Sequence, residues 1–130
     1  MKVAILAEQN FNLIDGSTIW LLNVCKLMSL LPDMQATLLL SHPLTDRILA
    51  NEVTANLRIV DAAALLGAAG QTAERLEPAT LTHTLRAWES IDGAFDRIFV
   101  RGASYLSVLL ADPGFVGRIV GYAPGAIPDL

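Results

Sequence analysis

Short, wholly apolar runs alternate with longer segments of helical periodicity, and that alternation most narrows what this chain can become. The first run, Val3-Ala4-Ile5-Leu6-Ala7, has no polar alternation, as expected of a central strand covered on both faces. A polar loop runs from Glu8 to Ser17, and a long apolar segment then extends from Thr18 to Leu31, stopped by Pro32. The reading is strand, loop, helix. Asp15 is placed to cap the helix by accepting a bond from a free first-turn N–H. Gly16 lets another group come close to that end, and Ser17 and Thr18 add hydroxyls. Free N–H groups at the positive end of a helix dipole suit phosphate or another anion. Asp15-Gly16 reads equally as a plain turn and cap. What singles it out is its place beyond the first buried strand, where open α/β sheets bind ligands.

The pattern repeats downstream. Ala36-Thr37-Leu38-Leu39-Leu40 predicts a second strand ending at Ser41-His42-Pro43, because proline cannot donate to a ladder. A short helix is expected within Leu44 to Val53. Leu57-Arg58-Ile59-Val60 is a third strand, less apolar and so nearer an edge. Ala62 to Gln71, rich in Ala and Gly, predicts a loose helical turn. Glu77-Pro78 suits a helix start. Leu81, Leu85, Trp88 and Ile91 then recur at helical spacing as one buried face, with His83 opposite and Gly93 as the stop. A fourth strand covers Asp96 to Val100 and ends at Arg101-Gly102. A helix from about Ser104 turns Leu106, Leu109 and Leu110 inward, and a fifth strand covers Arg118 to Tyr122. Residues Ala123 to Leu130 have the composition of a loop. Strands alternating with helices predict a mainly parallel sheet in a Rossmann-like three-layer αβα sandwich. Right-handed crossovers favour strand order 3-2-1-4-5.

At 130 residues the chain fits one domain, and 53% hydrophobic residues supply a large core. The formal net charge of -4 and the lack of a basic run exclude a nucleic-acid footprint. Cys25 is the only cysteine, so no internal disulfide forms, and a buried thiol in a reducing compartment is expected. No secretory signal is evident. The most membrane-like stretch, Ile19 to Leu31, is interrupted by Asn23 and Lys26 and is short of the ~20 apolar residues of a span. A cytoplasmic protein is expected, with peripheral attachment at an inner membrane as an option. Two distant histidines make no metal-site spacing. GxGxxG, Walker and GxSxG fingerprints are all missing.

The opening Met1-Lys2-Val3-Ala4-Ile5-Leu6, the loop carrying Asp15-Gly16-Ser17 and the leucine-rich helix after it resemble the start of a GT-B glycosyltransferase. The likeness is to the retaining, nucleotide-sugar-dependent, family-4-like group of polysaccharide and glycolipid transferases. Phe95 to Gly102 resembles that group's aspartate, buried strand and small-residue loop, and Gly117 to Tyr122 resembles the strand after it. The motifs are low in specificity. Two features depart from the group's pattern: Gly16 stands alone where paired glycines are common, and Tyr122-Ala123-Pro124-Gly125 lacks a histidine often found there.

The resemblance implies the acceptor-side N-terminal half of a two-domain enzyme that moves a sugar from a nucleotide sugar to a glycan or glycolipid. It implies a C-terminal partner domain beyond this chain, a nucleotide-sugar donor and no other cofactor. The chain alone is then inactive, and the face the partner domain would cover invites self-association. On the same resemblance, Asp15, Gly16, Ser17, Arg101 and Gly102 approach the substrate or its diphosphate. Glu8, Gln9, Asn10, His42 and Tyr122 are acceptor-binding candidates, and catalytic residues are not assigned. Bland roles stand beside these: Arg101 as a surface arginine paired with an acid, the loop residues as ordinary polar groups, His42 as a cap, and Trp20 and Trp88 as core. The alternative class is a non-catalytic, flavodoxin-like ligand- or partner-binding module. A receiver would need clustered acids where only Glu8 stands, and a purely structural docking domain is a third option.

Overall fold

The computed structural model describes residues 1–52 and 57–122, with the backbone alone for Tyr122. Five strands form one all-parallel sheet in the order β3-β2-β1-β4-β5. They are β1 (Lys2–Ala7), β2 (Gln35–Leu40), β3 (Leu57–Val60), β4 (Arg97–Arg101) and β5 (Ile119–Tyr122). The helices are α1 (Gly16–Ser29), α2 (Ile48–Asn51), α3 (Ala62–Ala68), α4 (Leu81–Asp92) and α5 (Ala103–Leu110). The result is the Rossmann-like αβα sandwich.

β1 lies at the centre and divides its side chains between two cores by the two-residue period of a strand. Ile5 and Ala7 join Phe11, Leu21, Leu22 and Cys25 beneath α1 and α2. Ala4 and Leu6 join Leu65, Leu66, Leu81, Leu85, Tyr105 and Leu109 beneath α3, α4 and α5. An apolar run without alternation is therefore the signature of burial on both faces. Cys25 is fully buried, and burial pushes its thiol pKa up to about 12, so it is an inert core thiol.

Four expectations need correction. Ile91 is 69% exposed rather than inward. The buried positions of α4 are Leu81, Thr84 and Leu85, and Ile91 falls at the flank of that stripe in the last turn. Leu110 is 48% exposed, because the inward stripe of α5 runs through Tyr105 and Leu109. α1 stops at Ser29, since Pro32 disfavours helical backbone in the residue before it and Leu30 already forms the cap. The Ala-rich stretch is a full helix, α3, started by Asp61, whose carboxylate accepts from the Ala64 N–H at 3.1 Å. Pro78 opens a 3₁₀ turn, Pro78–Thr80, that leads into α4. The expected loop at the C-terminus and Val53, the end of the second predicted helix, lie outside the described residues.

Candidate functional site

Strand order reverses at β1. The chain leaves β1 towards β2 through α1, and the second half of the sheet starts again at β4 on the other side. In doubly wound sheets the loops at such a reversal part to form the crevice that binds ligands, which makes the β1/β4 end the candidate position. Register places Ala7 opposite Arg101, so Glu8 and Gly102 leave the sheet side by side. Two helix starts, those of α1 and α5, flank this point.

Each helix start holds a carboxylate of its own chain. At α1, Asp15 Oδ1 accepts from the Thr18 N–H at 2.9 Å, while Thr18 Oγ1 accepts from the Asp15 N–H at 2.9 Å. That reciprocal pair is a capping box closed within one turn. At α5 the cap residue is Gly102, which has no side chain to offer. Glu8 supplies it from the neighbouring strand: its Oε1 accepts from the Tyr105 N–H at 2.6 Å. The fit requires glycine. Gly102 has φ +128°, and a Cβ there would stand 2.5 Å from both Cγ and Cδ of Glu8.

Arg101 is buried, with 7% of its surface exposed. Its guanidinium lies 4.4 Å from the centroid of the Trp20 ring, and Nη1 donates to the Ser17 carbonyl at 3.1 Å. Arg101 thus ties the end of β4 to the first turn of α1. Trp20 stacks in turn on Phe99, at 6.3 Å and 28°. Gly16 is exposed, and a Cβ added there would meet nothing within 4 Å, so the approach to the α1 start is open.

The β1 loop is held by its own polar groups. Asn10 Oδ1 accepts from the Asn12 N–H and side-chain amide. Asn12 bridges onward to Pro43, Thr45 and Asp46. Gln9 Oε1 is buried and has no hydrogen-bond partner among the described residues. Beside it, buried Ser41 donates to the main-chain carbonyls of Glu8 and Gln9 at 3.2 and 3.3 Å and lies 2.9 Å from His42 Nδ1. The direction of the Ser41–His42 bond follows the imidazole tautomer: Nδ1 accepts from the hydroxyl or donates to it. Burial lowers the His42 pKa, and the Arg75 charge lowers it further against Glu77. The Tyr105 hydroxyl donates to the Leu76 carbonyl, and burial, with the Glu8 charge, raises its pKa.

Of the residues singled out in the sequence, Glu8, Gln9, Asn10, Asp15, Gly16, Ser17, His42, Arg101 and Gly102 all lie at this one edge. The backbone of Tyr122 sits opposite Arg101 there. Glu8 meets Gly102 directly, and Arg101 meets Ser17, whereas His42 reaches the group only through Ser41. Sequence reasoning missed Ser41, Tyr105 and the Trp20 cover on Arg101. A small polar residue directly after an apolar strand was the signal for Ser41. Tyr105, third in the helix after a glycine cap, had a positional signal only.

A cavity of about 600 Å³ lies at the opposite edge of the sheet, lined in part by Lys2, Met34, Gln35 and Arg58. Its two cations are already committed to Asp92, at 3.1 and 2.8 Å. Arg58 chiefly, then Lys2, holds the Asp92 carboxyl below its ordinary range. Among the described residues no cluster of metal-ligating side chains occurs. None of their helices is long and apolar enough to cross a membrane.

The fold is a Rossmann-like α/β domain, and these residues gather at its topological switch point, the candidate crevice. No family model, curated protein or solved structure matches the chain.

Proposed function

We propose that this chain is the acceptor-side domain of a GT-B glycosyltransferase, transferring a sugar from a nucleotide sugar to a glycan or glycolipid. The observation that supports this reading most is the chemistry of the β1/β4 crevice. It carries acceptors: the second oxygens of the Glu8 and Asp15 carboxylates, whose first oxygens cap the two helix starts. Carboxylate oxygens accept hydrogen bonds, and sugar hydroxyls donate them. The open space over Gly16 gives a ligand access to the start of α1.

In this reading Arg101 is a positioning residue, since its guanidinium is spent on Ser17 and Trp20. Its role is to hold the α1 turn against β4, so that Gly16 and Ser17 keep their place relative to Gly102. The nucleotide diphosphate would then be bound mainly by a second domain, as the resemblance implies, with preorganised positive groups there stabilising the leaving group. The runner-up is a non-catalytic binding module using the same crevice.

Calorimetric titration with oligosaccharides, glycolipids in detergent and nucleotide sugars tests the proposal. It predicts saturable binding of at least one glycan or glycolipid, lost in Gly16→Leu, and no sugar transfer by the chain on its own. Binding of none of these classes contradicts it. Transfer by the chain alone contradicts the division of labour between two domains.

A further inference from the structure

We propose that the cavity at the N-terminal ends of β1, β2 and β3 is a second binding site, which takes a small amphiphile with one carboxylate head and an apolar body. The proposal goes beyond the transferase reading and does not rest on it.

The cavity holds about 600 Å³, within the range of small-molecule sites. Register sets three of its polar residues on one face of the sheet. Ala4, Thr37 and Arg58 are partners across β1, β2 and β3, and Lys2 stands two residues before Ala4 on the same strand. Ala4 packs into the core beneath α3, α4 and α5, so Lys2, Thr37 and Arg58 share that face. Thr37 is only 5% exposed and lines the cavity, and its hydroxyl makes no hydrogen bond among the described residues. A hydroxyl both donates and accepts, so it can serve one oxygen of a bound head group.

The charge at the cavity is set by three side chains. Arg58 Nη1 donates to Asp92 Oδ1 at 2.8 Å, and the guanidinium carbon lies 5.3 Å from the centroid of the Trp88 ring. These two contacts orient the guanidinium, while its Nε and Nη2 donate to no atom among the described residues. Lys2 Nζ is used up on Asp92 Oδ2 and on the carbonyls of Asp92 and Gly93. Two cations share one carboxylate, so one positive charge is left over, and the arginine holds the free donors. An oriented guanidinium with free N–H groups is suited to a carboxylate, which it binds through two parallel bonds. A single negative charge balances the site, whereas a dianionic head exceeds it. Leu31, Met34 and Leu57 also line the cavity, and Leu31 is 45% exposed, so a ligand with an apolar body would cover apolar surface that water now meets.

The test is a titration of the isotope-labelled chain with octanoate below its micelle concentration, followed at the backbone amides of Lys2, Thr37 and Arg58. Saturable shifts at these three amides are expected, while Gly16 and Gly102 in the crevice stay unmoved. Octanol has the same chain without the charge and is expected to bind at least about tenfold more weakly. Arg58→Gln should weaken octanoate binding about tenfold, and Thr37→Val, which keeps the shape and removes the hydroxyl, about threefold. Octanoate that leaves the three amides unmoved, or that shifts Gly16 and Gly102 instead, overturns the proposal. So do equal affinities for octanoate and octanol, and so does an Arg58→Gln protein that binds octanoate as the wild type does. If Arg58→Gln does not fold, undiminished binding in Thr37→Val overturns it. Sugar binding at the crevice is a separate readout, so its failure counts against the transferase reading alone.

Discussion

The starts of α1 and α5 face the same crevice and solve the same problem in opposite ways. Each leaves first-turn N–H groups without intrahelical partners, and each is given a carboxylate. At α1 the donor and the acceptor are three residues apart, Asp15 and Thr18, and the box closes within one turn. At α5 the carboxylate is Glu8, separated from Tyr105 by about three quarters of the chain (|i−j| = 97). The local cap stabilises one helix. The remote cap also welds β1 to the β4–α5 unit at the point where the sheet reverses, so the same chemical device serves secondary structure in one place and site assembly in the other.

That contrast is easiest to break at Gly102. Gly102→Ala forces a side chain into φ +128° and displaces the Glu8 carboxylate. The expected loss, from strain and from a charged hydrogen bond, is about 3 kcal/mol in urea unfolding. Combining it with Glu8→Ala should cost less than the sum of the two, because the overlap disappears and only the strain remains. Full additivity would show that Gly102 and Glu8 do not interact. Glu8→Ala by itself removes a charge-assisted bond to a half-buried group and should cost about 2 kcal/mol. Asp15→Ala opens only the local box and should cost about 1 kcal/mol. If Asp15→Ala proves the more damaging, the remote cap is not what holds the crevice.

Smaller effects sharpen the picture. His42, tied to the loop through Ser41, has a pKa lowered below 6.5 in the folded state. The unfolded chain therefore binds the proton first as pH falls. Stability should rise with pH from the depressed value up to 6.5 and be flat above it. His42→Gln should remove that slope, as measured by urea midpoints across the range. At the small end, Gly16 sits in open helical backbone, so Gly16→Ala should stabilise by about 0.4–1 kcal/mol. A loss there would mean the α1 start is more crowded than the structure has it.

The same contrast explains what the sequence disclosed. The strands were legible because a doubly covered strand is apolar at every position, as Val3 to Ala7 and Leu38 to Leu40 show. The order 3-2-1-4-5 followed from alternation and handedness, and Asp15 was legible as a cap because its partner lies three residues on. Glu8 was noticed only as a polar loop residue, since nothing near it in sequence announces a bond to Tyr105. Arg101 was expected to face the cleft. Its burial beneath Trp20 depends on α1 and β4 lying together, which no local pattern encodes. Ile91 and Leu110 were misplaced because periodicity fixes a stripe but not which residues of a last turn still reach the sheet. Asp61 escaped notice because the composition of the Ala-rich stretch hid a capped helix behind it.

The most direct measurement is an amide-resolved titration of the labelled chain with a neutral oligosaccharide or glycolipid that binds it. The account predicts that amides from Glu8 to Ser17 and from Gly102 to Tyr105 shift together along one binding curve, while Lys2, Met34 and Arg58 at the far edge stay unmoved. Shifts centred on Lys2, Met34 and Arg58, with the crevice silent, would contradict it and move the site to the other end of the sheet.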